Sequence, residues 1–376
     1  MPGPTNVQLA IEAAFKRALV TCTSPWVLDY ATNLPGAQIT FHTLLVILSA
    51  VMCILACFIS LLLIAAHLLH WTRPREQRQM VRIIAFVPRY SIIALFCVWF
   101  YHASGFLIPF GQWTEGLALT CLFLFYVEAA SPQETQRLQF FDELERKGLY
   151  AMAFQLFFTR IAVVIATEAL YGLTCPLSSA RRTGHTVIVV VQAIGTSIAV
   201  WACILIEKRL RSDLHPTRAR RKLFSFKAVA LLDAVQSTIF PILAEYQVFK
   251  PTPPYRVSWN DFAYAIPSFI FTVELLCVAI AFIGSFGYAS YRRQAVEERG
   301  ESIAGPGSAL LQVLDLRDVW EGVAFAFWGR VPRSWRQPPH DEPKLADLGQ
   351  HIDAELAPVK QLDIELGGAH VDGARA

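Results

Sequence analysis

Residues 41–69 read FHTLLVILSAVMCILACFISLLLIAAHLL. No Asp, Glu, Lys or Arg interrupts this stretch, and it exceeds the roughly 20 apolar residues needed to cross a bilayer's hydrocarbon core. Backbone polar groups find no water there, so a single segment of this kind has to be a helix. The residues before it hold no run like the apolar core of a secretion signal: the stretch from Phe15 to Val20 is short and follows Glu12, Lys16 and Arg17. The run is therefore expected to stay in the protein as a membrane span.

Six further runs have the same character, approximately Ile83 to Tyr101, Phe110 to Val127, Tyr150 to Leu173, Thr186 to Ile206, Phe226 to Val248 and Ala265 to Ser290. The composition agrees: hydrophobic residues are 54% and charged residues 17% of the chain, against about 45 to 50% and 25% in soluble proteins. The net charge of +3 is too small to point to nucleic acid.

Where the basic residues sit sets the direction. The connections after the first, third and fifth runs and the start of the tail hold eighteen Lys and Arg, among them Arg73, Arg82, Arg146, Arg221 and Arg292. The opposite connections and the first segment hold six: Lys16, Arg17, Arg181, Arg182, Lys250 and Arg256. Positive charge is retained on the cytosolic side. The expectation is an all-α membrane protein, a seven-transmembrane helix bundle with its N-terminus outside or lumenal and its C-terminus cytosolic. It divides into a lumenal segment 1–40, the bundle 41–290 and a cytosolic tail 291–376. The tail is polar and mostly disordered by composition. At 309–328, however, Ala309, Val313, Leu316, Trp320, Val323 and Phe327 recur at spacings of three and four, as on one face of an amphipathic helix.

Ionisable residues inside spans are costly and face a bundle interior or a wet cavity. Arg160, Glu274, Asp233, Gln236, Glu115 and Gln155 are accordingly the candidate transport path. Arg160, Gln236 and Glu274 fall nearest mid-membrane. The first expectation is that Arg160 and Glu274 neutralise one another, with Asp233 and Glu115 as polar points toward the two mouths. The competing reading makes each group a hydrogen-bonded joint between helices. Of the eight cysteines only Cys22 and Cys175 lie outside apolar runs; both would be non-cytosolic, where they can pair in an oxidising lumen.

Several short patterns then fit together. Arg82, Pro88 and Tyr90 in VRIIAFVPRYS, Gln155 and Arg160 five residues apart, Lys227 and Gln236 in FKAVALLDAVQ, and Glu274 and Ala279 in SFIFTVELLCVAIA fall in order on successive spans. Together they resemble the organic solute transporter alpha-subunit family, which includes the transmembrane protein 184 group. The sequence departs from that pattern at Phe282, where a His is usual, and at Asp233, where a small hydroxyl residue is usual. The resemblance implies the seven-span topology and a secondary or facilitative carrier whose partners are the bilayer and an organic small-molecule solute.

Other classes lack their residues. A heptahelical receptor's acidic-Arg-Tyr triplet and Asn-Pro-x2-Tyr are absent, a retinal protein's lysine is missing from 265–290, and no histidines converge for a metallohydrolase. No enzymatic motif, cofactor or metal is implied. The alternative function is an endomembrane, for example vacuolar, adaptor. Asp318-Val319-Trp320-Glu321-Gly322-Val323 fits the acidic-aromatic-x-x-aliphatic pattern docked by ubiquitin-like autophagy modifiers, with Trp320 and Val323 as the partner-binding residues. The simpler reading lays this segment on the membrane surface, with Trp320, Phe325, Phe327 and Trp328 at headgroup level. Vacuolar, other endomembrane and plasma-membrane locations, and a monomer or homo-oligomer, all fit the sequence.

Overall fold

The computed structural model describes residues 39–100, 103–130, 146–175, 178–209, 219–245, 248, 257–289, 291 and 305–328. Every regular element among them is helical. The expected lumenal segment up to residue 38, Cys22 and the tail beyond residue 328 lie outside the described residues.

The first run forms α1 (Phe41–Leu69). Thr40 starts it by accepting the amide of Thr43 at 3.1 Å, which satisfies one orphan donor of the first turn. Its inward face is Leu45, Ser49, Cys53, Ala56, Ser60, Leu63 and His67, mostly small groups at spacings of three or four. Its outward face shows Ile47, Ile54, Phe58, Leu61 and Leu62. Small residues in contacts and large apolar ones outside is the arrangement of a helix packed in lipid.

The second run begins earlier than its apolar residues suggest. Helices α2 (Pro74–Ile84) and α3 (Phe86–Trp99) form one span, Pro74–Trp99, broken at Ala85. Pro74 occupies a first-turn position, where a missing N–H costs nothing. Pro88 cannot donate in the ladder beyond the break. Arg89 compensates locally, giving Nε to the Ala85 carbonyl at 2.9 Å and Nη2 to that of Arg82 at 3.1 Å. Backbone bonds still cross the break, from the Ala85 amide to the Val81 carbonyl at 2.8 Å and from the Arg89 amide to the Ala85 carbonyl at 3.4 Å, and the Arg89 side chain reinforces the long one.

Helix α4 (Ser104–Ala130) lies at the centre, against α2, α3, α5 and α6. More of it is buried than of any other span, which explains how it tolerates Gln112, Thr114 and Glu115. Around it stand α5 (Arg146–Leu173), α6 (Ser179–Arg209), α7 (Ala219–Glu245) and α8 (Ile266–Ser285). A π-helical turn, Asp261–Ala265, leads into α8. Asp261 fastens that turn to α1 by accepting from the Ser258 amide and meeting His42 Nδ1, both at 3.0 Å. Every span after α1 begins before its apolar run, at polar residues that hydropathy passes over, whereas α1 matches its run.

Among the described residues six helices are long and apolar enough to cross a membrane: α1, α2 with α3, α4, α5, α6, and α8 with its π-turn. The sixth expected run, Phe226 to Val248, falls largely on α7 (Ala219–Glu245), which is helical over its length but is not among those six. The bundle has two dissimilar ends. At the end where α1 finishes, Phe86, Phe123, Phe125, Tyr126, Tyr150, Phe154, Phe226, Phe282 and Phe286 form a dense aromatic core. At the other end the helices part around a cavity.

The segment at 309–328 is helical but divided, into α9 (Pro306–Leu314) and α10 (Arg317–Trp328). Extended backbone at Asp315 resets the phase between them. Ala309, Val313 and Val323 are buried as expected, but Leu316, Trp320 and Phe327 are turned out and Val319, Phe325 and Ala326 replace them. A single helical period running through 309–328 is therefore corrected by this break.

Candidate functional site

Two glycines of α4 shape the cavity. A Cβ on Gly105 would stand 2.0 Å from Tyr171 Cε1, and one on Gly111 would stand 2.1 Å from Tyr90 Cε2. Without side chains at these positions, a tyrosine from α5 and one from α3 lie flat against α4. They flank a space of about 850 Å³, including its open mouth, lined by α3 to α8. Tyr90, Tyr171, Phe240, Tyr264 and Phe271 supply the aromatic walls, and Gln112, Gln192, Gln236, Thr167 and Ser268 the polar points. Among the described residues no Asp, Glu, Lys or Arg lines it. Apolar walls with a few convergent hydrogen-bonding groups are the usual form of a small-molecule site.

At the rim sits Arg181, buried with its guanidinium 3.8 Å from the Tyr171 ring centroid and Nη2 donating to Tyr264 Oη at 3.4 Å. His185, one turn along α6, also lines the space.

Arg160 and Glu115 lie deeper. Arg160 Nη2 is 2.8 Å from Glu115 Oε2, with side chains 2% and 3% exposed, and it also donates to Thr196 Oγ1 at 3.2 Å. Gly116 makes room for it, since a Cβ there would stand 2.8 Å from Arg160 Cγ. Glu115 is one turn beyond Gln112 on α4, and Thr196 one turn beyond Gln192 on α6. The ion pair is therefore a floor one helical turn below the cavity, toward the aromatic end.

The expected pairing of Arg160 with Glu274 is corrected. Glu115 takes the arginine, because α4 rather than α8 lies against α5. Glu274 instead accepts from Gln236 Nε2 at 2.5 Å, and Gln236 lines the cavity, so this pair does join a polar wall. Gln155 is a joint: it donates to the Gly195 carbonyl at 2.8 Å and accepts from Thr159 at 2.9 Å, tying α5 to α6. Asp233 is carried by α7, and its side chain lies outside the described set. Of the tail pair, Trp320 is 55% exposed and Val323 is fully buried. Cys175 is disulfide-bonded and six other cysteines are free; Cys22, the other cysteine outside the apolar runs, lies outside the described residues.

The cost of burying polar groups pointed to Arg160, Glu115 and Gln236 as interior groups, but not to the Arg160–Glu115 pairing, the aromatic walls, Gln112 or His185. Gly105 and Gly111 were the available signal, and a glycine announces its partner only once the facing helix is known.

A family model described as organic solute transporter Ostalpha matches residues 45–291. A transmembrane protein 184 homolog from Dictyostelium discoideum is 23% identical over 258 residues, 62% of this chain and 50% of the relative. The chain thus spans about half the length of that curated relative. No solved structure matches it.

Proposed function

Because the chain belongs to the organic solute transporter Ostalpha family, a family of multi-pass integral membrane proteins, we propose that it is a carrier that takes an organic solute into the cavity between α3 and α8. The observation that supports this reading is the asymmetry of the bundle. A cavity with neutral polar points lies above a buried ion pair, and dense aromatic packing closes the far end. Alternating access needs a site in mid-bundle open to one side at a time.

On this reading α7 is a seventh span, the cavity end faces the outside or a lumen, and the aromatic end faces the cytosol. The basic asymmetry supports that direction, and so does a disulfide-bonded Cys175, since disulfides persist on the oxidising side. An adaptor acting through Asp318 to Val323 would require α10 to leave the bundle, because Val323 is buried in its core.

The test is uptake. Purified protein in proteoliposomes is offered a defined mixture of organic solutes, with mass spectrometry reading what enters. The free thiol of Cys97 lines the cavity, so an entering solute should slow its alkylation, and prior alkylation should block uptake. Glu274→Gln should fold normally and lose flux, because the amide keeps shape and Gln236 contact but loses the charge. Uptake that survives both changes would sink the reading.

A further inference from the structure

One guanidinium holds the junction between the two tail helices. Arg82, on α2 and 4% exposed, donates Nε to the Val313 carbonyl at 2.8 Å and Nη2 to the Asp315 carbonyl. Its Nη1 donates to both oxygens of Asp318 at 2.9 and 2.7 Å. Gln79 also donates to Asp318, and Arg78 stands 3.4 Å from it. The two carbonyls lie at the C-terminal end of α9, where the helix dipole is negative, and Asp318 lies in the first turn of α10, where it is positive. Arg82 thus caps one helix and grips the acid that opens the next.

Once gripped, α10 lies along α5. Gly322 lets Phe154 approach so closely that a Cβ would stand 2.2 Å from its Cζ. Phe325 meets Tyr150 edge-on, with centroids 4.9 Å apart, and Tyr150 meets Phe123 of α4 at 5.0 Å. The docked tail therefore buttresses the aromatic closure.

Arg82 has a second connection. It sits eight residues before Tyr90, about 12 Å along the same span at 1.5 Å per residue, and the same span carries Ala94 and Cys97 into the cavity wall. Between the two lies the break at Ala85, where the Arg89 amide reaches the Ala85 carbonyl only at 3.4 Å and the Arg89 side chain supports that carbonyl and the one of Arg82. Such breaks are where helices change angle.

We infer that α9 and α10 form a latch: docked on Arg82 they keep the aromatic end closed and the cavity open, and their release lets the second span re-angle at Ala85 and close the cavity. The inference concerns the cavity's state and does not need the identity, or the existence, of a transported solute.

The test uses the full chain in nanodiscs with Cys53, Cys57, Cys121, Cys203 and Cys277 replaced by Ala, so that Cys97 is the reactive thiol. Two variants undock the tail by unrelated means: Asp318→Asn removes the gripped charge, and Gly322→Leu wedges α10 off Phe154. Trp328→Ala, at a side chain 67% exposed, is the control. Amide hydrogen exchange over 306–328 reads docking, and N-ethylmaleimide labelling of Cys97 reads the cavity. Both variants should speed exchange, and labelling should fall roughly fivefold as the open population falls, with the control unchanged. Faster exchange with unchanged or faster labelling overturns the coupling. Unchanged exchange in both variants overturns the latch itself, and a control that behaves like them reduces the effect to general loosening.

Discussion

Arg160 and Glu115 are worth more as a pair than apart. Each is almost fully excluded from solvent, so removing one partner leaves a charge buried in low dielectric, which costs about 3–5 kcal/mol. Arg160→Ala should therefore lower the thermal midpoint and the yield in detergent sharply, whereas Arg160→Leu with Glu115→Leu should recover much of the loss. A double variant as unstable as the single one would show that the arginine's packing over Gly116, not its charge, is what matters. Gly111→Ala makes a complementary prediction. Its methyl would stand 2.1 Å from the Tyr90 ring, and such overpacking costs about 1–3 kcal/mol. Adding Tyr90→Leu should restore stability in the same unfolding measurement, because the shorter side chain vacates the spot. These two sites also mark the limit of sequence reading at this scale. Costly charges at mid-span were legible as interior groups, but distance along a helix gives depth and not rotation. The choice between Glu115 and Glu274 as Arg160's partner depends on which helix lies beside α5.

At the scale of elements, tail docking should depend on pH in a calculable direction. Burial alone would raise the Asp318 carboxyl, but Arg78 and Arg82, with hydrogen bonds from Arg82 and Gln79, outweigh it and hold the group below its usual range. A carboxylate depressed in the docked state contributes stability that is complete above the undocked value, about 3.9. That contribution is lost only as pH falls through the lower, docked value. Protection of residues 306–328 should therefore stay flat from neutral pH to about 4.5 and fall below about 3.9, and Asp318→Asn should abolish the dependence. Loss of protection between pH 6 and 7 would point to a different titrating group. The two tail helices also show why periodicity was only partly reliable. Spacings of three and four ran through 309–328 without interruption, yet Arg82 rewards a break by bonding the exposed carbonyls of Val313 and Asp315. No pattern within the tail reports a cap supplied from more than 200 residues away.

At the scale of the whole molecule, lipid made the apolar runs easy to read, because a spanning helix must be long and apolar whatever it packs against. It also made their order in space hard to read, since a helix facing lipid and one facing its neighbours are both apolar. Thus α4, the central helix, has the most broken run, and α1, with Ile54, Phe58 and Leu62 outside, has the cleanest. The apolar runs give six clear spans, and a seventh if α7 crosses, which has a direct consequence. Basic residues gather on 70–82, 207–224 and 292–299, with Arg137, Arg146 and Lys147 after the third run, while Cys175 and the 249–257 connection fall on the other side of the alternation. If α7 crosses, single cysteines placed in 207–224 and in 249–257 must react from opposite faces of a sealed vesicle. Cys175 adds an internal standard, because its disulfide marks the oxidising side. A reporter in 249–257 should therefore share the face on which the protein shifts mobility after an impermeant reductant. Labelling of both connections from one face would turn α7 into a helix lying along the bundle and reduce the count to the six clear spans. That even count would bring the first segment and the tail to the same side, and Cys175 would then have to share its face with only part of the basic connections.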